Sequence, residues 1–289
     1  MTSQHSQGQR HTKFSRRSRE PCAKQACTGD RQVINPFAPI GRATLGALGE
    51  LGRLSAFAGR AAASVFAPPF FLGQFARQCW QIGYLSLPVI GLTAVFIGAA
   101  LALNIYVGGA RFNAEQFVPN IVVLGITREL GPVLAGLMLA GRVSAGIAAE
   151  IGTMRVTEQI DAMSTLSTDP FKFLVAPRVL AATLTLPLLV MVADIIGVMG
   201  GYLVAVNSLD FNGATYLRNT FDFLEPQDVV LGLTKAAVFG FIIACVGAYQ
   251  GYNSKGGALG VGRAATNAVV GAIVLILAVN YLITAFFVE

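Results

Sequence analysis

"LSLPVIGLTAVFIGAALALNIYV", residues 85–107, contains no charged side chain. About 20 apolar residues in an α-helix cross the hydrocarbon core of a bilayer, so this stretch is long enough to span one. Trp80 and Tyr84 precede it and Tyr106 lies near its end. Aromatic side chains in such positions anchor a spanning helix at the two membrane surfaces. The stretch therefore predicts a transmembrane helix.

Composition and the rest of the chain extend this prediction. The 289 residues are 54% hydrophobic and 12% charged, with a mean hydropathy of +0.61, whereas soluble domains carry about 25% charged residues. Four further apolar segments are long enough to span a bilayer: Phe117–Ala140, Val179–Val206, Val229–Tyr252 and Ala264–Val288. We expect an all-α integral membrane protein with a five-span domain over residues 85–289.

The distribution of basic residues predicts the orientation of these spans. Eleven of the 21 Lys and Arg residues precede residue 85, and the loops 141–178 and 253–263 hold four and two more. Loop 207–228 is instead mostly acidic. Because cytoplasmic loops carry an excess of Lys and Arg, we expect a cytoplasmic N-terminus and a C-terminus on the opposite side.

The residues before the first span divide into two predicted regions. Residues 1–35 are basic and lack an apolar core, which predicts a disordered cytoplasmic tail, with an organelle transit peptide as the alternative. In residues 36–84, Arg42, Arg53 and Arg60 share one face of a helix at about 100° per residue. We expect an amphipathic helix lying in the cytoplasmic membrane interface, the alternative being a buried helix of a soluble domain.

Two adjacent charges interrupt the second span. Arg128 and Glu129 lie in "GITRELGPVLAG", and ionisable residues within a span are costly and commonly functional. Neighbouring residues point about 100° apart on a helix, so the two cannot pair with each other and need separate polar surroundings. Either they line a substrate path or they hold helices together. Pro132 follows closely and predicts a kink.

Asp194 and Lys235 are the ionisable residues in the third and fourth spans. An ion pair between them would neutralise both charges, and we expect this pair, although Lys235 could instead extend toward the membrane surface. A proton relay is the other alternative, and it would need more than one acidic group.

Motifs for chemistry are absent from the sequence. It has no G-x-x-x-x-G-K-[ST] phosphate-binding loop, no nucleophile constellation and no platform of paired aromatic and basic residues for nucleic acid. The two histidines lie in the N-terminal tail and the four cysteines form no C-x-x-C pair. We expect no catalytic residues, no metal site and no enzymatic activity in this chain.

The loop "RVTEQIDAMSTLSTDP", residues 155–170, is polar between two apolar spans. Glu150–Met163 contains good helix formers and predicts one short helix. Glu158 and Asp161 would share a face, with Ile151 and Met154 on the opposite face. The helix is either an interfacial connector or a docking element for a soluble partner.

Three separated blocks carry a family resemblance. "RELGPVLAGLMLAGRVSAGIAAEIGTMRVTEQIDAM", "DPFKFLVAPRVLA" and "GGALGVGRAATNAVV" together resemble the MlaE (YrbE) family of ABC-transporter permeases, which belong to Mce-type lipid transport systems. The resemblance covers residues 85–289 and, more loosely, the region from about residue 40. One departure is Asn253-Ser254-Lys255, where an acidic residue would be expected before the glycines.

The resemblance implies a multi-pass permease of the bacterial inner membrane that works as a homodimer. It also implies a separate ATPase subunit that uses ATP and Mg, a periplasmic Mce-domain partner and a phospholipid or related substrate. The residues implied for the lipid cavity are Arg128, Glu129, Leu101 and Phe112. Those implied for a cytoplasmic coupling helix that contacts the ATPase are Glu150, Met154, Arg155, Glu158 and Asp161.

Two other functions remain open from the residues alone. A self-sufficient, ion-coupled transporter could use the intramembrane charges Arg128, Glu129, Asp194 and Lys235. A membrane scaffold would need none of them for transport.

Overall fold

The computed structural model describes residues 38–65, 71–111 and 114–288. The chain divides into two compact units, Met1–Gly46 and Ala47–Glu289. Of the first unit, the described residues are those that begin helix α1. The predicted tail, residues 1–35, lies outside the described residues.

The described residues are helical and contain no strand, which confirms the all-α prediction. The helices are α1 (Ala38–Val65), α2 (Leu72–Ile82), α3 (Leu87–Ala110), α4 (Val118–Gly125), α5 (Gly131–Leu139), α6 (Ala145–Val156), α7 (Gln159–Thr165), α8 (Ala176–Ser208), α9 (Gly213–Phe223), α10 (Pro226–Tyr252) and α11 (Gly257–Val288).

Within these residues, five helical segments are long and apolar enough to cross a membrane, as predicted. They are Leu72–Ala110, Glu115–Val156, Phe171–Ser208, Pro226–Tyr252 and Gly257–Phe287. The fifth begins earlier than predicted, because "GALGVGRA" at 257–264 is helical and not part of a turn. The turn is limited to 253–256 and ends at two glycines with positive φ, Gly256 and Gly257.

The fourth span occupies the centre of the bundle. In the most apolar 18-residue stretch of this span 56% of the residues are buried, whereas the corresponding shares are 22% for the first span and 11% for the fifth. Helix α10 packs against α8, α6 and α11, and α8 also packs against α3. The core that they share includes Leu139, Leu186, Phe239, Ile243 and Ile276.

Glycines allow these helices to approach closely. A Cβ on Gly247 would lie 2.8 Å from the Ser144 carbonyl oxygen, and one on Gly251 would lie 2.8 Å from that of Ala148. Both glycines belong to α10, and both contacts are with the second span. Small residues are used in this way wherever spanning helices pack backbone to backbone.

Helix α1 packs one face on the core and leaves the other exposed. Phe57 and Ala61 are buried, while Leu48, Leu51 and Arg60 are exposed. Arg60 lies on the exposed side together with Leu48 and Leu51, and the location of this helix in the membrane interface stays a prediction.

Candidate functional site

Arg128 and Glu129 lie where the second span is not α-helical. Residues Ile126–Leu130 form a π-helical turn between α4 and α5, a feature that is frequent at functional sites. Pro132 follows the turn and has no N–H to give to the carbonyl four residues earlier, that of Arg128. The sequence predicts a kink near Pro132; the structure has a π-helical turn there, which leaves a backbone carbonyl that needs another partner within an apolar bundle.

Lys235 provides that partner. Its ammonium Nζ donates to Arg128 O at 2.9 Å, to Glu129 Oε1 at 2.7 Å and to the Thr284 hydroxyl at 2.7 Å. These three bonds use all three ammonium donors. The Lys235 side chain is fully buried, so its charge depends on the Glu129 carboxylate for compensation.

The Glu129 carboxylate joins three spans. Besides Lys235 of α10, it accepts from Asn280 Nδ2 at 3.0 Å and from the Thr284 hydroxyl at 2.9 Å, both on α11. Its side chain nevertheless remains 39% exposed. We call Glu129, Lys235, Asn280 and Thr284 the central polar cluster.

Arg128 points to a different partner. Its Nε lies 3.5 Å from Asp228 Oδ1 at the start of α10, and the arginine side chain is 31% exposed. The prediction that the two neighbouring charges need separate polar surroundings is therefore confirmed.

The predicted pair between Asp194 and Lys235 is wrong. The donors of Lys235 are fully used by the central polar cluster and Arg128 O. Asp194 packs instead against Gly131, where a Cβ would collide with its carboxylate. Its Oδ1 is buried and has no hydrogen-bond partner among the described residues.

An apolar cavity of about 240 Å³ lies next to the Arg128–Asp228 pair. Its lining includes Thr127 and Val229, which are the chain neighbours of that pair. Most of the remaining wall is apolar and includes Val123, Met191, Leu217 and Phe221. Leu101 does not line this cavity but packs against Gly125 in a separate apolar cluster. Phe112 lies outside the described residues.

The single helix predicted over Glu150–Met163 is wrong. Helix α6 ends at Val156 and α7 begins at Gln159, because Glu158 adopts a left-handed conformation with φ 60°. Such a conformation costs about 1–3 kcal/mol. The turn brings Ile160 to 1% exposure, and burying an isoleucine contributes about 1.5–3 kcal/mol, which offsets that cost.

The predicted coupling residues occupy three different surroundings. Glu158 and Asp161 are exposed, and Arg155 Nη1 donates to Asp161 Oδ1 at 2.6 Å. Met154 is half-buried against the core. Glu150 does not share this surface, because its carboxylate accepts from Arg178 Nη2 at 2.9 Å and from Gln81 Nε2 at 3.3 Å.

Three residues of these sites were missed by the sequence reasoning: Asp228, Asn280 and Thr284. The first was counted only as a loop charge. The other two did carry a signal, because they are polar residues four apart in an otherwise apolar span and so share one helix face.

Comparison with known proteins identifies relatives across most of the chain. The family model described as Permease MlaE matches residues 75–286. A probable ABC transporter permease protein of Rickettsia conorii is 58% identical over 255 residues, which cover 88% of this chain and 98% of that protein.

More distant relatives align over a similar core. The intermembrane phospholipid transport system permease protein MlaE of Haemophilus influenzae is 32% identical over 72% of this chain and 80% of its own length. The chloroplastic protein TRIGALACTOSYLDIACYLGLYCEROL 1 of Arabidopsis thaliana is 34% identical over 73% of this chain and 60% of its own length.

Proposed function

The chain belongs to the MlaE permease family, and from that membership we propose that it is the membrane subunit of an ATP-driven lipid transporter. Its substrate would be phospholipid or a related hydrophobic molecule, consistent with the name of the Haemophilus influenzae relative. The substrate passes between the inner membrane and a periplasmic Mce-domain partner.

The partial exposure of Arg128 and Glu129 carries this proposal. Charged groups within a span are normally enclosed by protein, yet these side chains keep 31% and 39% of their surface accessible although each has a partner. A lipid headgroup offers the polar contacts that such groups need, and the adjoining cavity of about 240 Å³ offers an apolar wall to an acyl chain. A homodimer would enclose this surface between two copies.

The energy source would be a separate ATPase, because the sequence contains no phosphate-binding loop. We assign its docking surface to the end of the bundle that carries α7, the end that the distribution of Lys and Arg predicts to be cytoplasmic. There Glu158 and Asp161 present exposed carboxylates, and Leu166, which is 77% exposed, adds an apolar contact.

Affinity purification in mild detergent tests the assignment of this docking surface. We expect the wild-type chain to retain an ABC ATPase subunit, and the double charge reversal Glu158→Lys with Asp161→Lys to release it, because the reversal places like charges opposite the partner. Unchanged retention of the ATPase by the reversed chain would refute this surface.

A matched control is available at the other end of the bundle. Arg218 and Asp222 form an exposed pair on α9, with Nε and Oδ2 3.5 Å apart. Asp222→Lys changes the same kind of charge on a helix surface far from α7. This variant should retain the ATPase as the wild type does.

A further inference from the structure

Helix α2 carries a polar face along the edge of its contact with the bundle, where Gln78 is buried and Arg77 and Gln81 are exposed. Gln74, Arg77, Gln78 and Gln81 lie at positions i, i+3, i+4 and i+7 and so share one face, and Gln78 is 7% exposed. Trp80, on another face, is 61% exposed.

The polar face of α2 lines a pocket of about 230 Å³. One water occupies about 30 Å³ of liquid, so the space suits a group of several atoms. The other walls are Glu150 and Met154 of α6 together with Phe173, Leu174 and Arg178 at the start of the third span. We call this space the α2 pocket.

Arg178, in the wall of the α2 pocket, has one N–H donor without an acceptor. The residue is 7% exposed; its Nη1 donates to Leu174 O at 2.7 Å and its Nη2 to Glu150 Oε2 at 2.9 Å. Its Nε is buried and has no acceptor among the described residues. A buried donor without a partner is costly, and more so on a charged group, so an acceptor is expected there.

The charge of the α2 pocket favours an anion. Two arginines, Arg77 and Arg178, line the pocket, and the carboxylate of Glu150 is the one acidic group that its lining contains. A smaller adjoining space of about 70 Å³ shares Gln78, Gln81 and Glu150 and adds Arg142. Arginine and amide donors around one space suit the oxygens of a phosphate group.

The level of the α2 pocket relative to the membrane surface favours a lipid as the source of that phosphate. Trp80 stacks on Tyr84 with ring centroids 4.3 Å apart, and both are exposed beside the pocket. Such aromatic residues lie at the headgroup level of a membrane. Met154, Phe173 and Leu174 give the pocket an apolar wall that a free phosphate would not contact.

We propose that the α2 pocket binds the phosphate of an anionic phospholipid from the leaflet at this end of the bundle, with Arg178 Nε and Arg77 as donors. The site is separate from the central polar cluster. Glu150 follows Glu129 by 21 residues in the second span, which corresponds to about 30 Å at the helical rise. Binding here requires no transport, so its test is independent of the proposed function.

Native mass spectrometry of the full, delipidated chain titrated with phosphatidylglycerol tests this site. We expect Arg77→Gln to weaken the binding of one phosphatidylglycerol per chain roughly tenfold, the loss expected for one charged hydrogen bond, and to leave any lipid held at Arg128 and Glu129 bound. Arg178→Lys retains the charge but removes Nε, and should also weaken binding. Because Arg178 also bonds to Glu150, the thermal unfolding of the Arg178→Lys variant is measured in parallel to detect a loss of stability.

Arg60→Gln is the matched control, since Arg60 is an exposed arginine on α1 outside the pocket. We expect its affinity for phosphatidylglycerol to be unchanged. Equal losses of affinity for Arg60→Gln and Arg77→Gln would show that the lipid is attracted only by the net positive charge of the chain and would overturn the proposal. Displacement of phosphatidylglycerol by an equal concentration of inorganic phosphate would also overturn it, because the pocket would then bind a soluble anion.

Discussion

At the scale of single residues, the cost of charge in lipid explains the central polar cluster. Lys235 is fully buried, and Glu129 is its ionic partner at 2.7 Å. The sequence was sufficient to single out Arg128, Glu129 and Lys235, because charges are rare in spans. It was not sufficient to pair them, since Glu129 and Lys235 are 106 residues apart and no local pattern states which spans pack together.

Removal of one charge from this cluster should be more damaging than removal of both. Glu129→Leu leaves the Lys235 ammonium buried without compensation, which we expect to destabilise the chain by about 3–5 kcal/mol. The double variant Glu129→Leu with Lys235→Leu removes that uncompensated charge and should recover much of the loss. Thermal unfolding in detergent measures both, and a double variant less stable than Glu129→Leu alone would contradict this account of the pair.

The conformation of Glu158 gives a second prediction at this scale. Its φ of 60° is unfavourable for a residue with a side chain. Glu158→Gly removes that strain and should stabilise the chain by up to about 1 kcal/mol. A lower unfolding temperature for Glu158→Gly would show that the Glu158 side chain itself stabilises the turn.

At the scale of elements, the spans were predictable and their interruptions were not. The length and apolarity that lipid requires are visible in any window of the sequence. The turn between α6 and α7 depends instead on the burial of Ile160 by distant residues, and local helix propensity gave no sign of it. The π-helical turn at Ile126–Leu130 was not predicted, since the sequence indicated only a kink near Pro132.

Close helix packing can be tested with two glycines. Gly247→Ala places a Cβ 2.8 Å from the Ser144 carbonyl oxygen, so the helices must separate, and we expect a loss of about 1–3 kcal/mol. Gly262 lies in helix α11 with nothing within 4 Å of an added Cβ. Gly262→Ala should therefore be neutral or stabilising by up to about 1 kcal/mol. Equal unfolding temperatures for the two variants would contradict the close α10 contact.

At the scale of the whole molecule, five spans place the two ends of the bundle on opposite sides of the membrane. Helix α7 and the basic turn at 253–256 belong to one end, and helix α9 belongs to the other. The positive-inside rule predicts that the α7 end faces the cytoplasm. The docking surface for an ATPase and the proposed lipid site both depend on which residues face that side.

Cysteine labelling tests this orientation. In a chain with its four cysteines replaced, Thr165→Cys reports the α7 end and Thr215→Cys reports α9, and both positions are exposed. A membrane-impermeant maleimide applied to intact spheroplasts should label Thr215→Cys only, and should label Thr165→Cys after the membrane is opened. The reverse pattern would invert the orientation.

We propose that this chain moves lipid by using a partner's ATP and its own intramembrane charges. The most direct measurement is the transfer of a labelled phospholipid in proteoliposomes that contain the chain with or without its ATPase. We compare the double variant Glu129→Leu with Lys235→Leu against the exposed-pair variant Arg218→Gln with Asp222→Asn.

We expect transfer only with both ATP and the ATPase, a roughly tenfold or greater loss in the Glu129–Lys235 variant and no change in the exposed-pair variant. Transfer by the chain alone under a proton gradient, or undiminished transfer by the Glu129–Lys235 variant, would contradict the account.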